Sequence, residues 1–343
     1  MAIIPNSTTD HSSNRAGQGM VYEIGRTQIL MTGGKDITKS SILATSAPID
    51  TWHSTNDGTT WSQLSPTASP SHRFFHAMAY SNDDGYSFIH GGLDSIGVQF
   101  TGDLWYFNNT TWAQFATTFT PQVNAPSSRF AHEMISLDGY NGLVLFGGIG
   151  TTLINHQEYL QDTWLFSTST KLWTQITSTF VPPARAYFGM AFDGYNAIIT
   201  GGEQNGQYLS DMWKFNASSH QWTSVAQGST IPSARKGHSL VWDNFNKQLI
   251  LFGGSTVNYG LSNETWAFKN GAWSLLTTAT HPTRRYNASM VFDSGNNTIV
   301  LMGGTGLDGA PLGDVATFNC TTQTWSIAGD YQSAQTTGPV SDH

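Results

Sequence analysis

The chemistry this chain can offer starts with six arginines that stand at one phase of a repeating phrase. Arg15, Arg73, Arg129, Arg185, Arg235 and Arg285 each precede a Met or Leu by five residues. Gathered in space, such guanidiniums would attract carboxylate, sulfate or phosphate through forked hydrogen bonds. The competing reading pairs each Arg with an acidic residue or loop carbonyls of its own repeat, and the presence of Arg in every copy favours it. Arg73 and Arg129 lead as ligand candidates because they flank long loops, with Arg185 and Arg235 in the same phase. Three residues after the Arg, His76, His132 and His238 share a register that Gln18, Phe188 and Ala288 fill in the other copies. Three imidazoles facing one channel would approach a metal. Their repeats are not all adjacent, so neither a metal nor a cofactor is assigned. If the chain were an enzyme, it would need a carboxylate beside an Arg, such as Glu133 or Glu203.

The elements that position these residues follow from the rest of the phrase. Gly-Gly pairs end an apolar run in each copy, at Gly33-Gly34, Gly91-Gly92, Gly147-Gly148, Gly201-Gly202, Gly253-Gly254 and Gly303-Gly304. An acidic residue then precedes an aromatic hairpin. In the third copy Arg129–Ser136 reads as strand A and Asp138-Gly-Tyr-Asn141 as a tight turn. Leu143–Phe146 is strand B, continuously apolar and so buried on both faces. Asp162–Phe166 is strand C and Trp173–Ile176 strand D. One Gly of each pair is expected to admit a neighbouring backbone or Trp, the other to take a positive φ. Eleven of the 12 Trp fall in strands C and D, where they serve packing between repeats; Trp242 alone sits in strand A.

This grammar resembles the kelch family of β-propellers. Arg-x-x-[His/x]-x-[Met/Leu], the strand ending in Gly-Gly, the Asp-x-Trp strand and the closing Trp carry the resemblance. It implies an all-β fold, a six-bladed β-propeller of four-stranded antiparallel blades over residues 15–328. The blades run about 15–72, 73–128, 129–184, 185–234, 235–284 and 285–328, with tails at 1–14 and 329–343. Many kelch rings are closed by a strand borrowed from the opposite terminus. Here the last blade holds all four strands, so the ring closes by packing or by a strand added from Ile3-Ile4. Related kelch domains hold acidic peptides with residues at the Arg phase and just after Gly-Gly, which implies the six Arg with Lys35, Asp36, Leu93, Asp94, Glu203 and Ser255. Leu93 and Ile149 are apolar where such a site wants polar groups.

Composition narrows the function classes. A net charge of −8 with no Lys/Arg cluster opposes nucleic-acid binding. No apolar run is long enough for a membrane helix. Cys320 is the single cysteine, so no disulfide forms within the chain. Asn-x-Ser/Thr triplets at Asn6, Asn108, Asn109, Asn216, Asn263, Asn287, Asn296 and Asn319, with few lysines, lean towards an extracellular glycoprotein; a cytoplasmic setting is the alternative, since the N-terminus lacks a signal-peptide pattern. Gly304–Gly309 spells a dinucleotide fingerprint but precedes no helix. No Gly-x-Ser-x-Gly elbow is present. The expected function is a noncatalytic module binding a protein or carbohydrate partner through the long B–C and D–A loops. The alternatives are an enzyme of the epimerase or hydrolase class acting on a sugar or other anionic small molecule at the channel mouth, and a structural subunit of an extracellular assembly.

Overall fold

The computed structural model describes residues 14–36, 49–94, 96–115, 124–151 and 157–328. Every regular element among them is a strand. Four-stranded antiparallel sheets follow one another along the chain, each in simple A-B-C-D order. In the first, Gly19–Glu23, Gln28–Thr32, Thr51–Ser54 and Ser62–Leu64 are neighbours in that order. The third is Glu133–Leu137, Gly142–Phe146, Thr163–Ser167 and Leu172–Ile176, as the alternation of apolar runs and turn residues predicts. The last is Ser289–Asp293, Thr298–Met302, Val315–Asn319 and Thr324–Ala328, wholly from its own repeat. Successive sheets pack through their A strands, and the A strand of the last packs on that of the first. The first and last sheets thus pack across this seam and are joined there by backbone hydrogen bonds, such as Gly304 N–H to the Arg15 carbonyl at 2.9 Å; the strand expected from Ile3-Ile4 lies outside the described residues. This is the arrangement of a β-propeller.

The core lies between sheets. Each large apolar cluster combines residues from two neighbouring sheets, such as Phe88 and Leu104 with Phe166 and Trp173. The closing seam is built the same way, from Met31, Trp52 and Trp61 of the first sheet and Val300, Met302 and Val315 of the last. Burying a large aromatic is worth on the order of 2–3 kcal/mol, so these seams carry much of the stability.

The strand-D Trp reveals an alternation that the repeat pattern hides. Trp112, Trp222 and Trp325 donate their indole N–H to Thr51, Thr163 and Thr265 of the preceding sheet at 2.8–3.0 Å. In the other three seams Trp61, Trp173 and Trp273 meet Val315, Leu104 and Met212 at that place. Seams with a threonine acceptor alternate with seams that have an apolar side chain at that place; in one of the latter Trp273 donates its indole N–H to Gln227 instead, at 2.8 Å.

Both glycines of every Gly-Gly pair have positive φ, where one was expected. At Gly34, Gly148, Gly202, Gly254 and Gly304 the second donates its N–H to the carbonyl of the next Arg, as Gly148 does to Arg185 at 2.8 Å. The first is also in close contact: a Cβ on Gly147 would come within 2.8 Å of the Arg185 carbonyl. Asn270 and Gly271 both show positive φ, as a type I′ hairpin turn requires. Gly139 has a positive φ too, but a Cβ there meets nothing within 4 Å. Gly139→Ala should therefore cost only the conformational term, about 1 kcal/mol. Gly147→Ala adds a backbone clash and should cost about 3 kcal/mol or more. Urea denaturation of the two variants measures the difference.

Candidate functional site

The six arginines are all buried, each 0–2% exposed. Each extends from the start of its repeat towards its own Gly-Gly and strand C. Nη1 donates to the carbonyl of the first Gly at 2.8–3.1 Å in all six copies. The same guanidiniums pair with Asp50, Asp103, Asp162, Asp211, Glu264 and Asp314 at 2.5–3.0 Å. Five of those acids also accept the indole N–H of the Trp two residues on; the sixth copy has Ala316 there. Burial works to raise the carboxyls of Asp50, Asp103, Asp162, Asp211 and Glu264, but the Arg and Trp partners outweigh it and hold each below its usual range. The expectation that Arg73, Arg129, Arg185 and Arg235 present themselves to a ligand is thus corrected. Their donors are spent on acids and carbonyls inside the sheet, because a buried guanidinium needs a counter-charge and full hydrogen bonding.

The histidines are corrected likewise. His76 and His132 turn into seams between sheets instead of converging on a ligand. His76 Nε2 is hydrogen-bonded to Thr32 Oγ1 at 3.0 Å, and His132 Nε2 to His90 Nδ1 at 3.0 Å. His238 lies against Gly189 and Gly201 of the preceding repeat. Burial, reinforced by the nearest Arg, pulls His76, His90 and His238 down to about 3.

What does encircle the axis is backbone. The residue two after each Arg (Gly17, Phe75, Ala131, Tyr187, Gly237, Asn287) has φ between +53° and +67°. In this shape each N–H reaches the carbonyl of the equivalent residue in the preceding sheet. Phe75 bonds to Gly17, Ala131 to Phe75, Tyr187 to Ala131, Gly237 to Tyr187, Asn287 to Gly237, and Gly17 to Asn287, all at 2.7–3.2 Å. The result is a circular hydrogen-bonded hoop at the loop end of the channel. Gly at two of the six positions was the sequence signal for it.

Outside the hoop, on the B–C and D–A loop face, lies the polar constellation that sequence reasoning found only in part. Glu203 is buried and forms an ion pair with Lys236 at 2.8 Å. Tyr159 Oη donates to Glu203 at 3.1 Å. The Lys236 ammonium lies over the rings of Tyr208 and Tyr187, at 5.1 and 5.7 Å from their centroids. Burial and the Glu203 charge push the Tyr159 phenol up to about 12. Beneath the neighbouring repeats Phe74, Leu93, Phe130 and Ile149 form an apolar floor, which accounts for the apolar loop residues. Around this centre Ile96, Val98, Val257, Tyr259 and Leu307 of the B–C loops are exposed.

A family model described as the KLHDC2/KLHL20/DRC7 Kelch-repeats domain matches residues 17–254 and 189–339. The chain belongs to the kelch-repeat family. Kelch domains generally mediate protein–protein interaction, and this chain falls in that class of module. No curated protein matches it.

In this kelch domain, Arg129→Ala leaves the half-buried Asp162 and the Gly147 carbonyl without their partner and should cost about 3 kcal/mol. A chemical melt reads the loss; an Arg129→Ala variant as stable as wild type would reject the structural assignment. The buried histidines fix the acid limb. They titrate near 3 when folded and near 6.5 when unfolded, so the unfolded chain binds more protons between those values. The melting temperature should fall as pH falls through that window, and His238→Gln should flatten the slope in calorimetry.

Proposed function

We propose that this chain is a closed six-bladed β-propeller acting as a noncatalytic binding disc, which engages a protein partner through its B–C and D–A loop face. The observation that carries the reading is the Lys236–Glu203 pair enclosed by Tyr159, Tyr187 and Tyr208. Tyrosines present large, rigid, amphipathic area at low entropic cost, and a partly shielded ion pair among them fixes orientation. The exposed apolar residues of the surrounding B–C loops extend the contact area. Catalysis at Glu203 or Glu133 lacks support: Glu203 pairs with Lys236 instead of an Arg, and among the described residues Glu133 has no ionic partner.

A displayed peptide library selected on the wild-type protein tests the assignment. Enriched peptides should bind Lys236→Ala and Tyr208→Ala at least about tenfold more weakly, as truncation of interface anchors does. They should bind Tyr195→Ala, on the opposite face, unchanged. Enrichment of peptides indifferent to the loop-face variants would move the site elsewhere. Recovery of glycans but no peptides on the same face, in a parallel array, would replace protein by carbohydrate as partner.

A further inference from the structure

The channel on the other side of the hoop is built unlike the loop face. It is a cavity of about 570 Å³ that runs from the hoop to the A–B turns, where Ile24, Asn82, Asp138, Asp193 and Asn244 line it. That volume suits a small ligand. Its wall is ordered in layers by the repeat. Five residues after each Arg come Met20, Met78, Met134, Met190, Leu240 and Met290, a pliant apolar band. Seven after the Arg come Tyr22, Tyr80, Ser136, Phe192, Trp242 and Phe292. The five aromatics among them are only partly buried and form a collar near the turn end. Trp242, the Trp left over from the hairpin pattern, belongs to this collar. Beyond it Tyr140, Tyr195 and Phe245 project from the A–B turns, exposed by 37%, 69% and 49%.

One layer carries the only carboxyl set deep in the wall. Four residues after the Arg, Glu133 is accompanied by Gly19, Ala77, Gly189, Ser239 and Ser289, so it is the sole long side chain there. Three residues of strand separate it from the collar, a depth of about 10 Å. Among the described residues its carboxyl has no hydrogen bond or ion pair. No Lys or Arg lines the cavity. The other ionisable groups facing it are His76, His132 and His238, all pulled towards the neutral form; the phenols of Tyr22, Tyr80 and Tyr187; and Asp138 and Asp193 at the turn end. The wall thus holds acids and aromatic faces with no fixed cation to balance them.

We propose that the channel is a binding site for an elongated organic ammonium ion, its charged head at Glu133, its apolar body against the methionine band and its outer end within the aromatic collar. A carboxylate supplies the counter-charge, and aromatic faces attract cations through their quadrupoles. The site is entered from the A–B turns and does not depend on the loop-face reading. Enclosure raises the Glu133 carboxyl to about 8 in the empty channel, so a bound ammonium must displace its proton.

Titration calorimetry with n-octylammonium, against 1-octanol and octanoate as neutral and anionic controls of equal length, tests this. The ammonium should bind, and about tenfold more tightly at pH 8.5 than at pH 6.5, because Glu133 ionises between those values. Surface carboxylates, which titrate near 4, give no change in that window. Glu133→Gln should weaken binding about tenfold and abolish its pH dependence, Trp242→Ala should weaken it at both pH values, and Tyr208→Ala should leave it unchanged. Glu133→Gln should also melt above wild type at pH 9. The native carboxyl is raised, so its stability contribution is full below about 4.5 and lost as pH rises through about 8. Equal binding of octanol and the ammonium, binding of octanoate, or an indifferent Glu133→Gln would each overturn the proposal. So would no binding of the ammonium at all.

Discussion

Everything in this fold leans on a buried guanidinium held in the same way six times. Each Arg ties the start of strand A to the carbonyl that ends strand B and to the acid that starts strand C. Three pieces of backbone distant in sequence are fixed by one planar group, which a Lys, with its single point charge, would not replace. The ion pair is half-sheltered: Arg129 is fully buried while Asp162 is 21% exposed. Its effect is to set geometry more than to add net stability, since desolvating the charges costs much of what their attraction returns.

That geometry places the next residues where they form the hoop. Two positions beyond each Arg the backbone turns left-handed, a shape that costs Phe75, Ala131, Tyr187 and Asn287 about 1–2 kcal/mol each. The six interlocked hydrogen bonds offset this strain, and none can form unless its neighbouring sheet is in place. The hoop therefore couples the sheets to one another at the axis, while the aromatic seams couple them further out.

The fold was legible because its determinants are local and repeated: Gly-Gly, acid-x-Trp and the closing Trp each act within one repeat or its neighbour. The arginines were legible as a phase, and their recurrence in every copy already favoured pairing within the repeat, though sequence alone does not tell whether a given guanidinium faces a cavity or its own sheet. The same acids that flagged strand C turned out to be its partners. The histidines misled for a related reason: sequence does not tell that rings at the channel wall spend a nitrogen on a hydrogen bond across the seam, as His76 and His132 do. Glu203 was found because it follows Gly-Gly, but Lys236 and the tyrosines come from three repeats and share no phase. Glu133 was visible as a carboxylate near Arg129, but its place among the small residues of its layer shows only when all six repeats are aligned.

The alternation of the seams has a consequence for ring size. Thr51, Thr163 and Thr265 accept from an indole, while Leu104, Met212 and Val315 put no acceptor at that place, and Trp273 turns to Gln227 instead. Such a two-colour pattern closes on itself only around an even number of units. Inserting or deleting one unit would bring two like edges together somewhere on the circle, whereas adding or removing a pair would preserve every contact. The alternation is thus a parity rule written in one side chain per seam.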